Sequence, residues 1–380
     1  MLTLLFTLAI IDNSISQSKK LKIPDVPGYY TMKCDFHMHT VFSDGHVWPT
    51  ARVNEAIRDG LDVISITEHI DFEGYPDIIE KDYNKPYEIA KEYAKNKELI
   101  VINGGEISPR VSPYHNNAIF LEDVNKLPID YMKETKKKFV MKNEIMEDEL
   151  MAPFIEAKKQ EAFVFYNHPG WPREKNDTTL FTPFHENLLK NGMLDGVEIV
   201  NSGVYNKLAH QIAEKYNLTM LGNSDEHNDI YYTYKETHRP MTLVFVKEKT
   251  EKEIKNALID KKTAVLVDNY IIARKTEAEL IFKAFVDLNY EKTTRRDTPL
   301  LLLTFNNKSD IPFRVRLKSS YNIVNHPLGE MILKPHEPNT ITLWGLWDDP
   351  SEINIEIEVL NIVISPEKHL ESNYNFSILK

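Results

Sequence analysis

The chain has 380 residues, a length that corresponds to roughly two or three domains. Hydrophobic residues make up 42% of it and charged residues 27%, which excludes a polytopic membrane protein, a collagen-like chain and a wholly disordered one. The net charge of −11 argues against a protein that binds long duplex nucleic acid, because such proteins carry a basic surface. A local site for a small anion is compatible with this charge if bound cations neutralise it.

The chain contains 13 histidines but only one cysteine, Cys34. A single cysteine makes neither an internal disulfide nor a cysteine-based zinc site. Any metal must therefore be held by histidines and carboxylates.

The N-terminus begins with an uncharged apolar run, residues 2–11. The run is too short to span a bilayer and has the length of the apolar region of a signal peptide. We therefore expect residues 1–17 to be a cleaved signal peptide, 18–31 an N-terminal segment, and the protein to be periplasmic or secreted. No Lys or Arg precedes the run, so a buried N-terminal segment of a cytoplasmic protein is the alternative. No later stretch is apolar enough to predict a membrane span.

Short apolar runs alternate with amphipathic stretches over residues 32–276, and near-continuous Val, Ile and Leu runs are typical of strands buried on both faces of a parallel sheet. The predicted strands are 33–39, 61–67, 99–104, 118–121, 162–167, 196–200 and 219–222, followed by 241–246 and 263–267. The predicted helices are 49–58, 87–97, 205–216 and 252–259. Repeated units of this kind predict an α/β barrel or a doubly wound sheet.

Residues 277–380 have a different character, with short β-rich segments, turn residues and no convincing helix. The predicted strands are 300–305, 313–317, 340–343 and 353–360. This pattern predicts an all-β sandwich domain. We expect Trp344 and Trp347 to pack in the core of this domain or between the domains. Stacking of these rings on a glycan is the weaker alternative. In the first domain, the charged stretch 133–149 is expected to be the solvated face of a helix.

A candidate metal site begins with the sequence His-x-His. Alternate side chains of a strand share a face, so His37 and His39 point the same way and suit one divalent ion. Other polar residues follow predicted strands within a few positions: Glu68 and His69, Glu106, His168, Asn201, Asp225 and His227. In an α/β barrel the carboxyl ends of the strands meet at one mouth, so we expect these side chains to gather there.

These motifs resemble the polymerase and histidinol phosphatase (PHP) family of metal-dependent phosphoesterases over about residues 32–275. The matching motifs are D-x-H-x-H-x-x-x-S-D-G at 35–45, T-E-H at 67–69, G-x-E at 104–106, N-H-P at 167–169 and S-D-E-H at 224–227. The resemblance implies a distorted (β/α)₇ barrel that holds two or three divalent ions. It says nothing about the C-terminal domain.

The resemblance also implies which residues hold each ion. The first ion is assigned to His37, His39, Glu106 and Asp225; the second to Glu106, as a bridging ligand, with His115 and His168; the third to Asp44, His69 and His227. Imidazole and carboxylate ligands suit Zn²⁺, Mn²⁺ or Fe and do not distinguish between them.

The expected activity is hydrolysis of a phosphate mono- or diester, with a metal-bridging hydroxide as the nucleophile. Glu106, His168 and Asp225 are the expected catalytic residues, and Glu68 is expected to orient a ligand histidine. The expected partner is a small phosphorylated substrate rather than duplex nucleic acid. Its candidate contacts are Arg110, Asn201 and Arg173, the last of which follows His168 and Trp171.

Two other functions are compatible with the motifs. A similar metal cluster could hydrolyse a C–N or C–O bond, because a metal hydroxide does not specify the electrophile. The chain could also be a non-catalytic, metal-containing binding module that acts through its β-rich domain. The complete ligand set argues against the binding module.

Overall fold

The computed structural model describes residues 20–135, 139–170, 181–326, 328–347 and 351–377. The predicted signal peptide and Arg173 lie outside these residues. Among the helices within them, none is long and apolar enough to cross a membrane.

The first domain is built from β-strands surrounded by α-helices. Its strands are β1 (Tyr30–Asp35), β2 (Val63–His69), β3 (Ile100–Ile107), β4 (Asn116–Ile119), β5 (Met132–Glu134), β6 (Phe139–Met141), β7 (Phe163–Tyr166), β8 (Gly196–Asn201), β9 (Val204–Tyr205), β10 (Thr219–Asn223), β11 (Met241–Val246), β12 (Thr263–Val267) and β13 (Tyr270–Ala273). Its helices are α1 (Pro49–Asp59), α2 (Lys85–Ala94), α3 (Glu147–Lys159), α4 (Pro183–Lys190), α5 (Lys207–Lys215), α6 (Ile230–Thr233) and α7 (Glu251–Ile259), with a 3₁₀ turn at Val124–Lys126.

Seven strands form the wall of a distorted barrel in the order β1-β2-β3-β4-β7-β8-β10. These correspond to the first seven predicted strands. The β1-β2-β3 and β7-β8-β10 groups are parallel, as expected for strands buried on both faces. The short strand β4 is antiparallel to both of its neighbours, β3 and β7, so the barrel is not purely parallel.

We call the end of the barrel at which β1 and β10 finish the upper end. Backbone hydrogen bonds close the barrel there. The amide of Asp225 donates to the carbonyl of His37 at 2.9 Å, and the amide of His39 donates to Glu226 at 3.1 Å. At the lower end, β11 follows β1 in the sheet, and the hydroxyl of Thr242 bridges the gap to Gly222 of β10. The segments that carry two of the predicted metal motifs therefore join the barrel wall.

Helix α1 shows how an outer helix is fixed to this wall. Its residues Val53 and Ala56 are fully buried, and they face β2 as the sequence spacing predicts. Gly60 ends the helix with a φ of 74°, a left-handed conformation that costs glycine little.

The second domain consists of two β-sheets joined to the barrel by helix α8 (Lys275–Phe285). Its strands are β14 (Val286–Arg295), β15 (Thr298–Asn307), β16 (Phe313–Lys318), β17 (Asn322–Ile323), β18 (Glu330–Leu333), β19 (Pro338–Trp344), β20 (Glu352–Ser365) and β21 (Lys368–Ser377). One sheet has the order β14-β15-β19-β17, and the other contains β21, β20, β16 and β18. Buried residues alternate along β15, β16 and β20, as expected for two sheets packed face to face.

The two domains share one hydrophobic core. Strand β20 pairs in parallel with β13 of the barrel, so one sheet continues across both domains. Helix α8 buries Ala278, Ile281, Phe282 and Phe285 in this core. The sequence did not predict this helix, and it spans the predicted boundary between residues 276 and 277.

The charged stretch 133–149 was expected to be the face of one helix, but the structure does not show a single helix there. Its first part contains strands β5 and β6, which pair with each other, and helix α3 begins only at Glu147. Apolar residues interrupt the charges at Phe139–Met141, and these side chains are half-buried instead of solvated. The β5–β6 hairpin is important for the site described next.

Candidate metal centre

All nine predicted ligands lie together at the upper end of the barrel. They form four overlapping groups, in each of which one potential ligand atom per residue lies within 4.8 Å of the others. The groups are His39, Asp44, His69 and His227; His37, His39 and Glu106; His37, His168 and Asp225; and His69, Glu106 and His115.

These groups resemble the implied three-ion arrangement without matching it at every residue. Asp44, His69 and His227 lie together as implied, and His39 joins them. His168 groups with His37 and Asp225 instead of with His115. The assignment of each ligand to a particular ion therefore stays a prediction.

Glu106 lies at the centre of the cluster, with no part of its side chain exposed. Its Oε1 atom lies 2.9 Å from Nδ1 of His115 and 3.5 Å from Nε2 of His168. Its Oε2 atom lies 3.4 Å from Nε2 of His39 and 3.6 Å from Nε2 of His37. The two oxygens thus face two different sets of histidines, the geometry that a carboxylate bridging two ions requires.

Several buried polar atoms in the cluster lack a hydrogen bond from the described residues. They are Nε2 of His37, Nε2 of His39 and Oε2 of Glu106. Buried polar atoms are almost always satisfied, and leaving one unpaired costs about 1–3 kcal/mol. Because these three atoms face one another and are all potential metal ligands, the residues fit a divalent ion.

The charges of the histidines differ across the cluster. Burial lowers the pKa of His37, but the carboxylates of Asp225, Glu198 and Glu106 outweigh this effect and hold the pKa well above its usual value. Burial dominates at His39 and lowers its pKa to about 3, so that this imidazole is neutral at pH 7. A neutral imidazole is the form that binds metal ions.

Asp44 belongs to the outer part of the cluster. Its Oδ1 lies 3.2 Å from Nε2 of His227, and its Oδ2 lies 3.4 Å from Nε2 of His69. Partial burial raises the pKa of Asp44, but these two histidines outweigh the effect and hold it below the usual range. The side chain is still 36% exposed, so this part of the cluster is open to solvent.

The antiparallel direction of β4 explains the position of His115. This histidine precedes its strand, whereas most other ligands follow theirs. When a strand runs antiparallel to the strands beside it, its first residue lies at the same end of the sheet as their last residues. His115 therefore reaches the same mouth as Glu106, which lies near the end of β3.

Glu198 is a functional residue that the sequence analysis missed. It is 1% exposed in β8, and its Oε1 accepts a hydrogen bond from Nδ1 of His37 at 2.8 Å. This bond gives Nδ1 a proton acceptor and turns Nε2 of His37 towards Glu106 and Asp225. The amide of His168 donates to the other Glu198 oxygen. A carboxylate in the middle of the apolar run 196–200 was the available signal, because a buried charge needs a partner.

Glu68 was expected to orient a ligand histidine, but its hydrogen bonds go elsewhere. It is buried and accepts hydrogen bonds from the hydroxyls of Thr40 and Ser43, in the turn that leads to Asp44. Burial raises its pKa to about 7. Its role is to hold the turn that carries Asp44.

The predicted substrate contacts are placed differently from one another. Arg110 is exposed and lines a cavity next to the cluster. Asn201 lies at the end of β8, where its amide donates to Glu198 at 2.9 Å and its oxygen accepts from Ser202. This pairing favours a supporting role over substrate contact.

Comparisons with known proteins agree with this architecture. A family model described as the PHP domain matches residues 35–191, and one described as an Ig-like domain matches residues 286–375. The crystal structure of a two-domain protein from Bacteroides vulgatus, described as containing a predicted PHP-like metal-dependent phosphoesterase, has a TM-score of 0.82 and 36% sequence identity. The match covers 94% of this chain and 98% of that one.

This chain belongs to the PHP family. The fold expected from the resemblance, a PHP barrel followed by an Ig-like domain, is thereby confirmed.

Two other known proteins have a weaker or shorter similarity to this chain. A putative metal-dependent phosphoesterase from Bifidobacterium adolescentis has 18% identity and a TM-score of 0.37, over 51% of this chain and 87% of that one. An uncharacterised protein from Methanocaldococcus jannaschii is 43% identical over 79 residues, which is 20% of this chain and 34% of that protein. The matched stretch thus spans about a third of the archaeal relative.

Proposed function

We propose that this PHP-family protein is a metal-dependent hydrolase of small phosphate mono- or diesters, with Zn²⁺, Mn²⁺ or Fe as its metal. The observation that carries the proposal is the central position of Glu106, whose two oxygens face different sets of histidines. The related two-domain protein from Bacteroides vulgatus, described as containing a phosphoesterase of this family, supports the choice of bond.

The nine clustered side chains would hold the ions, which when bound supply a nucleophile at neutral pH and neutralise charge on the phosphoryl oxygens. The protein orients the ligands by hydrogen bonds. Glu198 fixes the ring of His37, and the carbonyl of Asp225 accepts from Nδ1 of His227 at 2.8 Å, which turns Nε2 towards Asp44. The amide of Asn167 donates to Oε1 of Glu106 at 3.0 Å. These bonds prepare the ligand atoms before any ion binds.

Arg110 is the candidate residue for phosphoryl recognition. A guanidinium group can donate two parallel hydrogen bonds to phosphate oxygens. Arg110 lines the same cavity as His69 and His115, so both the arginine and the cluster can contact one bound phosphoryl group.

The proposal is tested by loading the purified protein with Zn²⁺, Mn²⁺ or Fe²⁺ and measuring hydrolysis of phosphomonoesters, phosphodiesters, nucleotides, amides and lactones. We expect turnover of phosphate esters, and we expect Glu106→Gln to weaken metal binding at the ions it contacts and to lower turnover about a hundredfold or more. Glu214→Gln, which changes an exposed glutamate outside the cluster, is the matched control. A fully loaded protein that hydrolyses only amides or lactones would contradict the proposal.

A further inference from the structure

The cavity next to the metal centre has two chemically different sides. Its volume is about 410 Å³, within the range of small-molecule sites. One side is formed by the candidate ligands Asp44, His69 and His115. Another part of the lining consists of Met132, Phe139, Val140 and Met141 of the β5–β6 hairpin, together with Phe72 and Pro109.

The hairpin is held in place by contacts with other segments. Nζ of Lys81 lies 3.8 Å from the centroid of the Phe139 ring, and Nζ of Lys142 lies 2.6 Å from Oε1 of Glu149. Met132 pairs with Met141 across the two strands. These contacts therefore fix the position of the apolar side chains that line the cavity, which we call the wall.

Hydrogen bonds also connect the base of this wall to the metal centre. The hydroxyl of Tyr131, a residue with no exposed surface, donates to Oδ2 of Asp71 at 3.2 Å. The other oxygen of Asp71 accepts from the hydroxyl of Ser108, which lies 2.8 Å from Nδ1 of His69. The distance between the wall and the cluster is thus set by buried contacts.

The described side chains that line the cavity differ in what they offer a substrate. Arg110 has the only fixed positive charge among them, while Asp44 and Asp71 are acidic. Sugar hydroxyls would lose hydrogen bonds against the Met, Phe and Val side chains of the hairpin, which offer no strong donor or acceptor.

We propose that the substrate is a small phosphate ester that carries an apolar, aromatic group, and that the β5–β6 hairpin selects this group. This inference rests on the proposed phosphate-ester function. The phosphoryl group binds at the cluster and Arg110, and the aromatic group packs against Phe139, Met141 and Phe72. Aromatic rings pack well against other rings and against methionine sulfur.

The test compares two phosphonates that cannot be hydrolysed, using calorimetry on the metal-loaded, full-length protein. Phenylphosphonate should bind at least about tenfold more tightly than methylphosphonate, because the ring buries apolar surface. Phe139→Ala and Met141→Ala should each reduce this ratio several-fold. Met146→Ala, which changes a methionine that is 66% exposed and lies outside the cavity, should keep it.

A kinetic comparison supports the binding measurement. The value of kcat/KM for phenyl phosphate should exceed that for glycerol phosphate at least about tenfold, for the same reason of buried apolar area. Equal affinity for the two phosphonates in a protein that hydrolyses phosphate esters would overturn the inference and leave the proposed function standing. Binding of neither phosphonate, with no hydrolysis of any phosphate ester, would overturn both.

Discussion

Buried carboxylates in this protein have different tasks that depend on their neighbours. Glu106 faces histidines with both oxygens, and the amide of Asn167 supports it by donating to Oε1. Glu198 contacts the cluster through the ring of His37 and the backbone amide of His168, and Glu68 contacts the turn before Asp44. The same side-chain type therefore acts as a ligand, a support for a ligand, or a support for a turn.

Replacement of Glu198 by Gln tests its supporting role. The amide keeps the size of the side chain but accepts less strongly from Nδ1 of His37, so we expect metal affinity and turnover to fall about 10- to 100-fold. Metal titration by calorimetry measures the affinity. Glu214→Gln is the control on an exposed residue, and an unchanged affinity in Glu198→Gln would contradict the role of Glu198.

His185 makes protein stability depend on pH. It is fully buried in α4, where Nε2 donates to the carbonyl of Pro113 at 2.9 Å, and burial lowers its pKa to about 4. The unfolded chain binds a proton at this residue below about pH 6.5, whereas the folded chain does not until about pH 4. Stability contributed by neutral His185 is therefore complete above pH 6.5 and decreases as the pH falls towards 4.

When the pH falls from 7 to 4.5, the free energy of unfolding should decrease less in His185→Gln than in the unmodified protein. The difference between the two decreases should be up to about 3 kcal/mol. Urea unfolding of the metal-free proteins at the two pH values measures the difference, because the other histidines titrate equally in both. His46→Gln changes an exposed histidine and should follow the unmodified protein. If His185→Gln and the unmodified protein had the same pH dependence of stability, burial would not lower the pKa of His185.

Short segments after the strands determine the geometry of the cluster. The turn from Thr40 to Gly45 brings Asp44 back towards the segment that contains His39, and the amide of Gly45 donates to the carbonyl of Thr40 at 2.9 Å. A Cβ atom on Gly45 would lie only 2.7 Å from the backbone of His39 and Thr40. Glycine is required here because the two backbones lie so close.

Gly45→Ala should therefore displace Asp44 while the barrel stays folded. We expect affinity at the outer group of Asp44, His69 and His227 to fall about tenfold or more, as when a supporting contact of a metal ligand is lost. Metal stoichiometry and far-UV circular dichroism measure the two effects. His46→Ala, on the next residue of the turn, is the control. Full occupancy of all metal sites in Gly45→Ala would show that the turn has room for a side chain.

One of the hydrophobic clusters of the described structure belongs to both domains. Leu243 and Leu266 of the barrel, Phe282 of α8 and Phe305 of the Ig-like domain lie in one buried cluster. The segment before the barrel also contacts the second domain, where Lys22 and Asp310 exchange hydrogen bonds. Separate unfolding of the two domains would expose this shared surface to water.

We therefore expect one cooperative unfolding transition for the full chain. Phe282→Ala should lower the free energy of unfolding by about 3–5 kcal/mol without splitting the transition, because it leaves a cavity in the shared core. Lys283→Ala, on the exposed face of the same helix, should change it by less than about 0.5 kcal/mol. Scanning calorimetry measures both, and two separate transitions would contradict a shared core.

The sequence alone predicted the strands of the barrel wall and the all-β second domain, because apolar periodicity is a local property, and the resemblance of its short motifs to the PHP family implied the nine candidate ligands. His115 could be named from the family pattern, but its reach into the mouth depends on the antiparallel pairing of β4. Glu198 and the hairpin wall at Phe139 were missed, since their roles depend on partners that lie far away in the chain. Only the tertiary structure decided these features, because the free energy of a buried charge or an apolar surface is set by what packs against it.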